Sequence, residues 1–149
     1  MSKAQSLIEV YDNLDWDHYI ELCDKILVIN KSLLEEELSK SHLIYAYYIG
    51  LLNLARTRVV IVEDDLQRIY NTNRASTAKE LRASEDKVTE KDIEAKIMSR
   101  TDYCSTKIDL QVAQSKENLL KGLFEALKQR HENLIQLSSN SRAEMKINS

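Results

Sequence analysis

No proline occurs in this chain of 149 residues, and its two glycines, Gly50 and Gly122, lie far apart. Average usage would place about eighteen such residues in this length. They set turns and strand ends. A chain with so few makes few tight reversals, which excludes sandwiches, barrels and loop-built α/β enzymes and leaves a small number of long helices. A glycine-rich phosphate loop is excluded by the same count. Charged residues make up 30% and aromatics 6%, so the core such a chain can build is thin. The expected fold is all-α: one helical domain over residues 1–149, a long antiparallel hairpin preceded by a short helix.

Periodicity predicts where the helices run. The first spans about residues 15–30, with Trp16, Tyr19, Ile20, Cys23, Ile26 and Leu27 at three-and-four spacing. Ser32 followed by Glu35 reads as a capping box that opens the next helix. That helix is expected over about 32–72. Stepping by four and three from Leu34 gives Leu38, Ser41, Tyr45, Tyr48, Leu52, Ala55, Val59, Val62, Leu66, Ile69 and Asn73, all apolar except Ser41 and Asn73. This is a sustained heptad seam. Ile44, Tyr47, Leu51, Leu54 and Ile61 form a second apolar stripe on the same helix. A helix apolar on two sides is buried on two sides, either beneath the N-terminal helix or against another subunit.

Asn71, Thr72, Asn73, Ser76 and Thr77 are poor helix formers, so residues of about 73–88 are expected to form an exposed connector. Thr89 with Asp92 is a second capping box. It opens a C-terminal helix over about 89–138, with the stripe Ile93, Ile97, Cys104, Ile108, Val112, Leu119, Leu123, Leu127 and Leu134. A hairpin of two such helices buries little surface for its length, and oligomerisation is the usual remedy.

The net charge of −3 gives no overall pull toward nucleic acid or anionic lipid. Its distribution is uneven. Residues 1–40 carry nine acids and four bases, whereas residues 53–108 carry eleven bases and ten acids. The N-terminal segment has no basic region leading into an apolar core, as a secretory signal would. No stretch approaches the length of a membrane span. Cys23 and Cys104 form no paired motif, and His18, His42 and His131 are scattered, so no metal-ligand spacing is visible. A reducing, cytoplasmic setting with free thiols is the expectation. No nucleophile–base arrangement stands out, and no enzymatic activity, cofactor or catalytic residue is expected. Cys104 reads as a core thiol.

Binding is the better reading. Single-stranded nucleic acid is held by basic side chains and stacked on aromatics. The candidate DNA-binding residues are Arg56, Arg58, Arg68, Arg74, Lys79, Arg82, Lys87 and Lys91, with Lys96 and Arg100 beyond them and Tyr70 in their midst. Acids interleave with them almost one for one, which also describes an ordinary solvated face.

The order of features resembles the UvsY-like recombination mediators of tailed phages. Glu90-Lys91-Asp92-Ile93 opens the C-terminal helix in that family's acidic–Lys–Asp–aliphatic manner. Ala126-Leu127-Lys128-Gln129-Arg130, followed by Leu134, Leu137 and Arg142-Ala143, is similar to its C-terminal segment. Leu66-Gln67-Arg68-Ile69-Tyr70 is similar to the family's second-helix end, and the likeness covers about residues 32–146. The resemblance implies a homo-oligomer that binds single-stranded DNA in recombination and repair. It implies loading of a RecA-like phage recombinase onto DNA coated by single-stranded-DNA-binding protein, in the host cytoplasm if the chain is phage-encoded. It also implies self-association through the C-terminal helix, here Leu120, Leu123, Phe124, Leu127, Leu134 and Ile135. In the family a basic stretch precedes the second-helix tyrosine. Here it reads Glu63-Asp64-Asp65-Leu66-Gln67-Arg68, and only Arg68 keeps the charge. The alternative is a helical coiled-coil scaffold that binds another protein.

Overall fold

The computed structural model describes residues 3–84 and 86–149, with side chains from Leu7 onward. Among the described residues there are helices and no strands: α1 Lys3–Asp12, α2 Trp16–Ile26, α3 Leu34–Ser84, α4 Glu90–Met98 and α5 Thr101–Ile147. The all-α expectation holds. Within it the chain divides into two compact units. The described residues up to Ala55, together with Lys116–Ser149, form one compact unit, and Arg56–Ser115 form a second. Both long helices contribute to both units.

In the first unit the early part of α3 packs antiparallel on the late part of α5. Tyr48, Leu51, Leu52 and Ala55 meet Leu120, Leu123 and Leu127, and Ser41 lies beside His131. α1 and α2 close over this core with Tyr11, Leu14, Tyr19, Leu22 and Cys23. Ile44, Leu51 and Leu54 of the second α3 stripe join this core with the N-terminal helices, whereas Tyr47 and Ile61 are exposed. Each fully buried leucine here contributes about 2 kcal/mol. Lys116 fastens α1, its Nζ donating to the carbonyls of Tyr11 and Asp12 at 2.9 and 3.0 Å. Burial pushes the Tyr48 phenol up to about 12. The fold favours its neutral form, so that contribution is complete below the ordinary value of 10.0 and is lost as pH rises toward about 12. We expect the urea midpoint to fall between pH ~9 and ~11.5, and to fall less in Tyr48→Phe. Equal losses in both proteins would remove Tyr48 as the cause.

In the second unit Val59 and Leu66 of α3 pack with Leu110 and Ala113 of α5. Ile93 and Ile97 of α4 are buried as well.

Several boundaries differ from expectation, each for a local reason. α1 was not anticipated, although Leu7, Val10, Tyr11 and Leu14 carry the same three-and-four spacing. α2 ends at Ile26 rather than near residue 30. The turn that leads into α3 is capped by Asn30, not Ser32. The Asn30 side chain accepts from the Ser32 amide at 3.1 Å, and a 3₁₀ turn, Lys31–Leu33, leads into the helix. The expected connector over 73–88 is helical through Ser84. Packing overrides propensity there: Asn73 donates to the Ile69 carbonyl at 2.8 Å and to Asp102 at 3.3 Å, and Thr77 is buried.

The capping box at Thr89 and Asp92 is present, and Thr89 hydrogen bonds hold the Asp92 carboxyl below its ordinary value. The C-terminal helix is two helices, because α4 stops at Met98 and α5 begins at Thr101. That break resets the helical phase. The inward residues of α5 include Tyr103, Thr106, Leu110, Ala113, Glu117, Leu120, Leu123, Phe124, Leu127, Arg130, His131, Leu134, Ser138 and Ser141. Cys104, Ile108 and Val112 instead face solvent. Cys104 is thus not a core thiol; its Sγ donates to the Met98 carbonyl. The helix also runs past Ser138 to Ile147, because the small Ser138 and Ser141 continue the seam.

Candidate nucleic-acid interface

All eight candidate DNA-binding residues fall within the second unit, and all eight are exposed. α3 carries six. Arg56 and Arg58 stand where the unit begins, and Arg68 and Arg74 lie further along. Lys79 and Arg82 occupy the last turns. Lys87 lies between α3 and α4, and Lys91 is in the first turn of α4. Their helical spacing turns them to different sides of α3, so they do not form one continuous stripe.

Arg68 and Arg74 form ion pairs. Arg68 pairs with Asp65 one turn earlier. Arg74 reaches Glu90 of α4 at 2.8 Å, and the Glu90 hydrogen bond and charge hold its guanidinium above the ordinary value. Both pairs are largely exposed, so both exchange readily with water or a competing anion. Lys79, Arg82, Lys87 and Lys91 show no ion pair among the described residues. They gather where α3 ends and α4 begins. Two nearby acids are occupied, Glu90 by Arg74 and Asp92 by the Thr89 cap. Glu80, Glu85, Asp86 and Glu94 stand among these bases in the sequence, so residues 79–94 carry four bases and six acids and bring no net positive charge.

Aromatic platforms are less available. Tyr70 and Tyr103 are half-buried. Tyr45 packs on Phe124 with centroids 4.8 Å apart, and Tyr48 belongs to the core. The unit does expose apolar side chains, Val60 and Ile61 on α3 and Ile108 and Val112 on α5. The sequence reading had placed Ile108 and Val112 inside.

The residues expected to mediate self-association require correction. Leu120, Leu123, Leu127 and Leu134 are buried within the chain, at most 4% exposed, and Phe124 is half-buried against Tyr45. The core of the first unit uses them, which leaves them no free face. Of the six, Ile135 alone is exposed, at 50%.

No helix among the described residues is long and apolar enough to cross a membrane. Compared with known proteins, the chain matches no family model, no curated protein and no solved structure.

Proposed function

We propose that this chain binds single-stranded DNA through the exposed basic side chains where α3 ends and α4 begins and serves as an oligomeric mediator of recombinase loading. One observation carries the DNA reading: Lys79, Arg82, Lys87 and Lys91, close in sequence around the end of α3 and the start of α4, are exposed and without ion pairs among the described residues. The likeness to UvsY-like mediators supplies the biological setting, with a RecA-like recombinase and single-stranded-DNA-binding protein as partners. In this reading subunits meet through exposed apolar side chains such as Ile135, since the neighbouring leucines are buried.

Four phosphate contacts on a single strand give a definite salt dependence. Raising salt from about 50 to about 200 mM should weaken oligo(dT) binding roughly 50-fold. Fluorescence anisotropy with a labelled oligonucleotide measures it. Arg82→Glu with Lys87→Glu should weaken binding by more than about tenfold, with sedimentation unchanged. Absence of binding at the lower salt would overturn the DNA reading; unchanged affinity in the variant would remove these basic side chains as the site.

The scaffold reading draws on Val60, Ile61, Ile108 and Val112, exposed on the same unit. A chain that ignores oligo(dT) at low salt, yet sediments as an assembly dispersed by Ile108→Lys, fits that reading instead.

A further inference from the structure

His42 and His131 lie far apart in sequence and meet across α3 and α5 in the first unit. Their ring centroids are 5.2 Å apart, with the planes inclined at 59°. His131 Nδ1 lies 2.7 Å from Ser41 Oγ, and Ser41 is buried. With Nδ1 engaged by that hydroxyl, Nε2 is the ring nitrogen left for another partner. An open cavity of about 320 Å³ adjoins the pair, lined by His42, Tyr45, Lys128, His131 and Glu132. His42 is exposed, so the cavity is reached from solvent.

We propose that His42 and His131 form a binding site for a divalent cation of the zinc class, with water completing the coordination. The spacing is the first argument. A tetrahedral ion about 2.1 Å from a nitrogen of each ring sets the two centroids roughly 5.2 Å apart. The second argument is the Ser41 contact. A metal-ligating histidine almost always passes its other ring N–H to an oxygen, which fixes the tautomer and the ring orientation. Two imidazoles favour zinc over magnesium or calcium, which take oxygen ligands. Among the described residues no group of three or more histidine, cysteine, aspartate or glutamate side chains is placed to hold a metal. The protein therefore supplies two ligands, and binding is weaker than in a closed four-ligand site. Lys128, on the cavity rim, opposes the ion; Glu132, on the same rim, favours it. A bound ion ties α3 to α5 and stabilises the unit by mass action.

Calorimetric titration of the full chain with ZnCl₂ tests the site. One Zn²⁺ per chain is expected, and no heat from MgCl₂. His42→Ala and His131→Gln should each weaken zinc binding by about tenfold or more, whereas His18→Ala and Cys104→Ser leave it unchanged and Lys128→Ala tightens it. The exposed position of His42 keeps the test interpretable even where His131→Gln perturbs folding. Imidazole signals of His42 and His131, and not of His18, should move on zinc addition in NMR spectra. Absence of zinc binding, retention of full affinity in His42→Ala, or loss in His18→Ala or Cys104→Ser would each overturn the assignment.

Discussion

Leu127→Asp is expected to unfold the unit built around it rather than to release a folded protomer from an assembly. Leu127 is 4% exposed and belongs to the cluster that joins Tyr48, Leu51, Leu52 and Ala55 to Leu120 and Leu123. Removing a buried leucine side chain costs about 2–5 kcal/mol. A carboxylate in its place, among apolar neighbours, adds a desolvation cost. The sum is more than about 5 kcal/mol, comparable to the whole stability of many domains. Circular dichroism should show loss of helix at room temperature. Hydrogen exchange should accelerate across 35–55 and 116–140. A species that remains fully helical but sediments at lower mass would show that Leu127 serves an intersubunit contact after all.

The second large effect centres on Arg130, which is 6% exposed beside a Glu37 carboxylate that is 24% exposed. Its guanidinium also donates to the Val28 carbonyl at 3.3 Å, which pins the segment between α2 and α3. The Nε atom has no hydrogen-bond partner, so the pair is incompletely satisfied. Arg130→Met should cost about 3 kcal/mol, chiefly by stranding Glu37 in a half-buried position. That corresponds to a fall in melting temperature of roughly 10 °C for a chain of this size. The double variant Arg130→Met with Glu37→Leu should recover most of the loss, because apolar replacement of a buried pair is often neutral. A double-mutant cycle reads the coupling directly. Additive losses would mean that Arg130 acts through Val28 rather than through Glu37.

Legibility followed the continuity of the helical phase. The seam of α3 could be read because one unbroken helix carries it: every position from Leu34 to Asn73 on that list is buried or half-buried. The start of the α5 seam, at Cys104, Ile108 and Val112, was misread because the stripe was carried from Ile93 and Ile97 straight through the interruption at Ser99 and Arg100, whereas Leu123, Leu127 and Leu134 further along are buried as expected. No proline or glycine marks that interruption, so the sequence offers little to place it. The cap at Thr89 could be read because its chemistry is local, three residues wide. α1 could have been found, since Leu7, Val10, Tyr11 and Leu14 repeat the spacing used elsewhere.

At the candidate interface the exposure of the eight bases follows from residue type. The pairing of Arg74 with Glu90 does not, because it depends on how α4 returns along α3. The two histidines were recorded as scattered. Only the fold brings His42 to His131, and no spacing rule spans a separation of that length.

The order of the two units along the chain also bears on biosynthesis. Arg56–Ser115 are contiguous, so this unit closes over short loops, whereas its companion joins the two ends of the chain. On the ribosome, Leu51 and Leu52 emerge long before Leu120, Leu123 and Leu127 exist to shelter them. Until the α5 segment emerges, the face of α3 that Leu120, Leu123 and Leu127 will cover stays open to water, a stretch of greasy surface for a holding chaperone to bind.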